Sequence, residues 1–328
     1  MKKIVFIVVL LQVIIFAKQI SYETKPNVFK KANSTYLLEG KELKLKFSVK
    51  NAKSIKWYQI IPNISKFYKN ANFPWDPKPY QWAGFGKIEY EKVEIKEFEN
   101  QKIVTITQKI LEKNRPQGYT LYNSKVGSFW FQAVATKNSG KTIKSTGLKQ
   151  NNSRGLSPKV FRVSFMKSDD YIGYLTTFSN VPGIFGSIPY QSKNYIGVDC
   201  ADVLMAVSSI ITKKKLKDFN VAMLVTKLKK RASLHIKEGK PSKKLIWGKD
   251  FKKGDFIAVR YSPKSQFAHI GLLYEDSNRD GILDSGDFVI HTGPEALHIS
   301  TLDVGVFDGF VKILKNRDMK KKAIGNRQ

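Results

Sequence analysis

Cys200 is the only cysteine of the chain, and it stands in the run Gly197-Val198-Asp199-Cys200-Ala201-Asp202-Val203-Leu204. Asp199 is a good helix N-cap. Val203, Leu204, Val207, Ile210 and Ile211 then recur on one helical face. The spacing predicts that Cys200 opens a helix. There the helix dipole and free N–H groups favour a thiolate, the attacking species in cysteine catalysis. Asp202, a nearby negative charge, works slightly against it. The plain alternative for a lone cysteine is a small buried hydrophobe.

A thiol nucleophile needs a base. The chain has four histidines, His235, His269, His291 and His298. His269 begins the apolar run His269-Ile270-Gly271-Leu272-Leu273-Tyr274. His291 ends Phe288-Val289-Ile290-His291. Two such strands joined by one connection pair as a hairpin and bring their histidines together. Cysteine, base and a polar group that orients the base follow the logic of a catalytic triad. His298 is an alternative orienter. His235 sits in a Lys-rich stretch and reads as surface.

Asp199-Cys200, Gly254-Asp255-Phe256-Ile257, His269 to Tyr274 and Ile290-His291, in that order, resemble the NlpC-type cell-wall cysteine peptidases, whose relatives include the CHAP amidases. The resemblance covers about residues 170 to 315. It implies a papain-like fold, with Cys200 as nucleophile, His269 as base and His291 as orienter. Pro189-Tyr190 resembles a family element whose tyrosine lies near the nucleophile, which makes Tyr190 a candidate substrate contact. Two departures flank the site. Ala201-Asp202 replaces the family's Ser-Gly, and Gln191-Ser192-Lys193 replaces Trp-Gly-Gly.

Between the two histidine strands lies Asp276-Ser277-Asn278-Arg279-Asp280-Gly281-Ile282-Leu283-Asp284-Ser285-Gly286-Asp287. This is the pattern of an EF-hand calcium loop. Asp276, Asn278 and Asp280 offer side-chain oxygens, Gly281 the sharp turn, and Ile282 its carbonyl. Asp284 holds the position often bridged by water, and Asp287 stands where Glu usually closes the site. Strands rather than helices flank the loop. A bound Ca²⁺ is expected to clamp the connection between His269 and His291.

The elements around these residues read as α+β. Leu43 to Val49, Ile55 to Ile60, Ile103 to Thr107, Ser128 to Ala135 and Val160 to Phe165 are short alternating or apolar runs between turn residues. They predict an all-β, immunoglobulin-like sandwich over residues 18–166, with Trp57 in its core. A papain-like α+β domain follows over 167–315. It has a second helix from Asn220 to Arg231, strands at Phe256 to Arg260, His269 to Tyr274 and Phe288 to His291, and a last strand within Phe307 to Leu314. Residues 316–328 read as a basic tail. Phe73 to Trp82 is a Pro- and aromatic-rich loop, read as pinned to its own domain.

Lys2, Lys3 and the apolar run Ile4 to Phe16 read as a signal peptide over residues 1–17, shorter than the roughly 20 residues of a membrane span. An uncleaved anchor would leave peripheral membrane contact. Export to the periplasm, wall or medium is the expectation, and one cysteine permits no internal disulfide. The net charge of +30, from 57 Lys+Arg against 27 Asp+Glu, suits an anionic neighbour such as peptidoglycan or another wall polymer. No nucleic-acid motif is present. The sequence therefore predicts an exported thiol hydrolase of wall-peptide amide bonds. The alternatives are a thiol acyltransferase on the same fold and a non-catalytic, calcium-stabilised wall-binding protein.

Overall fold

The computed structural model describes residues 19–63, 88–119, 121–148, 155–293 and 295–319. The signal segment, the Phe73 to Trp82 loop and the tail beyond Met319 lie outside them. The protein is mixed α+β and mostly sheet.

The first part contains β1 (Ser21–Lys25), β2 (Val28–Lys31), β3 (Ser34–Leu38), β4 (Leu43–Lys46), β5 (Ala52–Pro62), β6 (Tyr90–Glu94), β7 (Ile103–Ile106), α1 (Gln108–Lys113), β8 (Gly127–Lys137), β9 (Thr142–Lys144) and β10 (Phe161–Met166). One sheet has the order β2-β1-β4-β7. The other runs β3-β10-β8-β5-β6, with β9 beside β8. Alternation decides which faces meet: Leu43, Leu45 and Phe47 from one sheet, and Ile55, Trp57, Phe129, Phe131 and Phe165 from the other, share one core. Trp57 is fully buried, and its indole N–H donates to the Gln101 carbonyl at 2.9 Å.

The second part contains α2 (Tyr171–Thr176), α3 (Pro189–Lys193), α4 (Cys200–Thr212), α5 (Val221–Lys227), β11 (Lys230–Lys237), β12 (Lys240–Pro241), β13 (Phe256–Arg260), β14 (His269–Glu275), β15 (Phe288–His291), β16 (His298–Thr301) and β17 (Gly309–Leu314). Its strands form one antiparallel seven-stranded sheet, β12-β11-β17-β13-β14-β15-β16. β17, last in the chain, sits in the middle, with Phe256 opposite Leu314. Both faces are covered, so β13 is apolar at nearly every position. Val203, Leu204, Val207 and Ile211 of α4 pack with Ala258, Ile270, Leu272 and Ile290 on one face. Ile60, Trp130 and Met166 of the first part join the same cluster. Ile257, Leu273, Val289, Phe307 and Val311 pack on the other face.

Two local expectations differ from the structure. The helix after Asn220 stops at Lys227, because Leu228 is extended. The residues after it form β11, whose Ala232, Leu234 and Ile236 point inward and alternate with the polar residues Arg231, Ser233, His235 and Lys237. His235, on that strand, is exposed as expected. The chain also stays packed past residue 315. The Asn316 N–H donates to Asp255 at 3.2 Å, and Met319 lies against Gly254.

Candidate active site

The turn into α4 is held by side chains. Asp199 accepts the N–H groups of Ala201 at 2.9 Å and Asp202 at 2.7 Å. The Ser187 hydroxyl donates to Asp202 Oδ2 at 2.6 Å and accepts the Asp199 N–H at 2.9 Å. Cys200 is therefore the first residue of a rigidly capped helix, as its surroundings predict.

The electrostatics there oppose the expectation of a ready thiolate. Burial raises the Cys200 thiol above its ordinary range, and the charge of Asp199 raises it further. Backbone N–H groups of Ile270, Ala201 and Cys200 itself pull the other way without winning. Burial pushes Asp199 up to about 6. It pushes Asp202 up to about 7, with the Asp199 charge second. Desolvation outweighs these donors, so the resting sulfur is a thiol.

On the sheet, β14 and β15 pair antiparallel as expected, with Leu272 opposite Ile290. His269 and His291 are thereby diagonal neighbours on one face. His269 Nε2 lies 3.2 Å from His291 Nδ1, and the rings meet edge to face. His291 Nε2 lies 2.8 Å from the Ser300 hydroxyl. Phe307 packs on both rings, at 5.3 and 5.5 Å between centroids. Burial lowers His269 to about 3, and the charge of His298 adds to this. Burial also holds His291 well below its ordinary value. Both rings are neutral at neutral pH.

The chain of contacts constrains the protons. For His269 Nδ1 to accept a proton, Nε2 must carry the hydrogen and donate it to His291 Nδ1. His291 must then carry its hydrogen on Nε2, with Ser300 accepting. If Ser300 donated instead, both tautomers would reverse and His269 Nδ1 could not act as a base. His298 contacts the face of His291, with centroids 4.3 Å apart, while its own Nδ1 lies 2.9 Å from the Ala296 carbonyl. Ser300, not His298, is the polar group at the far end of the chain.

The two ends of the site meet at the start of β14. α4 packs on Ile270 and Leu272, whereas His269 shares its face with Leu273 and Phe307. Cys200 packs beside Ile270, the residue next to His269, and the N–H of Ile270 is near enough to favour the thiolate. Among the described residues, no hydrogen bond joins the thiol to the His269 ring itself. Tyr261, just after β13, is close enough that a charge on Cys200 raises its hydroxyl, after burial has done so. That hydroxyl donates to the Val306 carbonyl at 3.1 Å. Tyr190 is exposed on α3, which packs beside α4.

Ser187, Tyr261 and Ser300 were not anticipated from the sequence. Ser300 had a signal: a strand over 298–301 pairing with β15 puts Ser300 opposite Val289, diagonal to His291.

The loop from Asp276 to Asp287 closes on itself. Asp276 accepts the N–H groups of Arg279 and Gly281, each at 2.8 Å. Asp280 accepts that of Ile282 at 2.7 Å, and Asp284 that of Gly286 at 2.8 Å. Gly281 has φ 76°, the left-handed conformation its position requires. Asn278 donates to Asp284 Oδ2 at 2.7 Å. Asp287 is fully buried and takes three N–H donors, including the Trp247 indole at 2.8 Å. The loop is braced from outside by Leu245–Trp247. Leu283 donates to the Leu245 carbonyl, and Trp247 to that of Gly281, both at 2.9 Å. Among the described residues, no three His, Cys, Asp or Glu side chains converge as a metal site.

No model of a known protein family, no curated protein and no solved structure matches the chain.

Proposed function

We propose that the protein is an exported cysteine hydrolase of amide bonds in cell-wall peptides, with a papain-like catalytic part and an immunoglobulin-like sandwich that docks it on the wall. The observation that carries this reading is the order of groups at the start of β14. A helix-start thiol lies against the N–H of Ile270, and the adjoining His269 is tied through His291 to Ser300.

In this mechanism the resting pair is a neutral thiol and a neutral imidazole. For catalysis the His269 ring would have to turn at the start of β14 to meet the sulfur, which packs on the other face of that strand, when substrate enters. His269 takes the thiol proton as sulfur attacks the carbonyl. The imidazolium then gives that proton to the leaving amine, and water hydrolyses the acyl-enzyme. The Cys200 amide would stabilise the oxyanion. Tyr190 and Tyr261 would contact substrate beside the sulfur.

Calcium is the cation this oxygen-rich loop would suit, through Asp276, Asn278, Asp280, the Ile282 carbonyl and Asp284. Asp287 already answers Trp247 and would act as a brace more than as a ligand. Binding would require the Asn278–Asp284 bond to open. A chelator is expected to lower the melting temperature and the activity together. Unchanged melting removes calcium from the reading.

The test of function is incubation of wild type and Cys200→Ala with purified peptidoglycan, followed by analysis of the released fragments. Cys200-dependent fragments are expected, and their absence refutes a wall hydrolase. The raised thiol favours a second reading, a non-catalytic wall-binding protein. A thiol acyltransferase would differ by passing the acyl group to an amine instead of water. Alkylation of Cys200 separates the two classes: an inert thiol in a folded protein supports the binding protein.

A further inference from the structure

Arg162 is a buried cation without a counter-ion. It lies on β10 with 7% of its surface exposed. Among the described residues, no carboxylate comes within ion-pair distance of it. Its guanidinium carbon stacks 3.5 Å from the centre of the Tyr195 ring and lies 5.5 Å from that of Tyr36. One terminal N–H donates to the Tyr36 hydroxyl at 3.4 Å. The buried Nε has no partner. Tyr195 does not supply a negative charge, because burial raises its hydroxyl well above the ordinary phenol value.

Stacking on an aromatic face offsets part of the cost of burying a cation. It leaves the in-plane Nε–H of the guanidinium unanswered. An uncompensated buried charge is expensive, and an unmade hydrogen bond adds to that cost. Arg162 lines a pocket of about 80 Å³ together with Asn33, Ser34, Trp130, Lys193 and Asn194. That space holds several waters, and hence one small oxyanion. The pocket lies on the seam of the molecule. Arg162 and its strand neighbours come from the first part, and Lys193 and Asn194 from the end of α3, the helix beside the Cys200 helix.

We propose that this seam pocket binds a small oxyanion, a carboxylate or a phosphate group, held by Arg162 and Lys193 with Asn33, Ser34 and Asn194 as further hydrogen-bond partners. The bound anion ties α3 to the sandwich. The proposal is independent of the thiol chemistry.

The test is thermal unfolding of the full chain in sodium phosphate, sodium acetate and sodium chloride at matched ionic strength. A saturable rise in melting temperature is expected with phosphate, acetate or both, and not with chloride. Phosphate alone assigns a phosphoryl group, acetate alone a carboxylate, and both an oxyanion site tolerant of shape. Lys193→Gln, at an exposed side chain, is expected to weaken the apparent affinity about tenfold, as the loss of a charge-assisted contact does. Arg162→Gln is expected to abolish the rise. Should that variant not fold, Lys193→Gln decides alone. Equal melting in all three salts overturns the proposal. So does a rise of the same size in Lys193→Gln, which would assign it to the general +30 surface.

Discussion

At the start of α4, Asp199, Cys200 and Asp202 are acids that burial makes reluctant to ionise. On β14 and β15, His269 and His291 are bases that burial makes reluctant to protonate. The same desolvation acts on both groups with opposite consequences for their protons, and both ends of the site lose charge. The difference lies in how the protons are held. At the helix the carboxylates are held as acceptors, Asp202 by the Ser187 hydroxyl and Asp199 by backbone N–H groups. On the sheet the protons are ordered along a chain of rings. In a chain of net charge +30, burial opposes charge on the thiol and on both rings of the proposed reaction centre. A thiolate there must be made by proton transfer, not stored.

The strongest way to break this comparison is to remove the base. His269→Gln is expected to lower turnover of peptidoglycan about 10²–10⁴-fold, the usual contribution of a general base. Circular dichroism on the same sample checks that the fold survives. Full activity in a folded variant would mean that Cys200 draws its proton acceptor from elsewhere, and the two ends would no longer form one site.

The parts of the site legible in the sequence were those written in local pattern. Asp199 capping an apolar helix face, and the two histidine strands, appear in the structure where their periodicities place them. What escaped depended on contacts distant in sequence. β11 was hidden because only three inward apolar residues alternate along it, in a stretch that begins and ends in lysine. β17 forms the middle of the sheet although it is last in the chain, and no local signal carries that. Cys200 was expected to be acidic from its helix position alone. Desolvation by α4's own packing, and the charge of Asp199, reverse that sign. The Trp247–Asp287 bond joins segments 40 residues apart and could not be read from the loop pattern.

A smaller effect separates the acidic end from the basic end by pH. Asp202 has a folded value of about 7 against about 3.9 unfolded, so the native state keeps a proton that the unfolded chain has lost. Its contribution to stability therefore falls as pH rises from about 4 to about 7. His269 has a folded value of about 3 against about 6.5 unfolded, so the unfolded chain binds the extra proton. Its contribution falls as pH drops from about 6.5 to about 3. In wild type the two slopes oppose each other. Asp202→Asn keeps an acceptor for Ser187 and removes one slope. The variant is expected to melt about 2–4 °C above wild type at pH 8. It should lose stability more steeply than wild type between pH 6.5 and 4. Parallel pH–melting curves for the two proteins would show that the acidic end does not titrate as described.

The smallest change tests whether the ring chain extends beyond His291. Ser300→Ala removes one hydrogen-bond partner of a buried ring, a loss worth about 0.5–1.5 kcal/mol. If the hydroxyl orders the tautomers, turnover falls by up to about tenfold with KM unchanged, because substrate contacts are untouched. The ¹⁵N shifts of the imidazoles supply a readout that mere loosening would not move. In wild type they should report the hydrogen on Nε2 of both His269 and His291, and in Ser300→Ala a mixture of tautomers. Ser300→Thr restores the hydroxyl and should restore both signals. Unaltered shifts in Ser300→Ala would end the chain at His291 and leave the packing of Phe307 on both rings as the feature that orients the base.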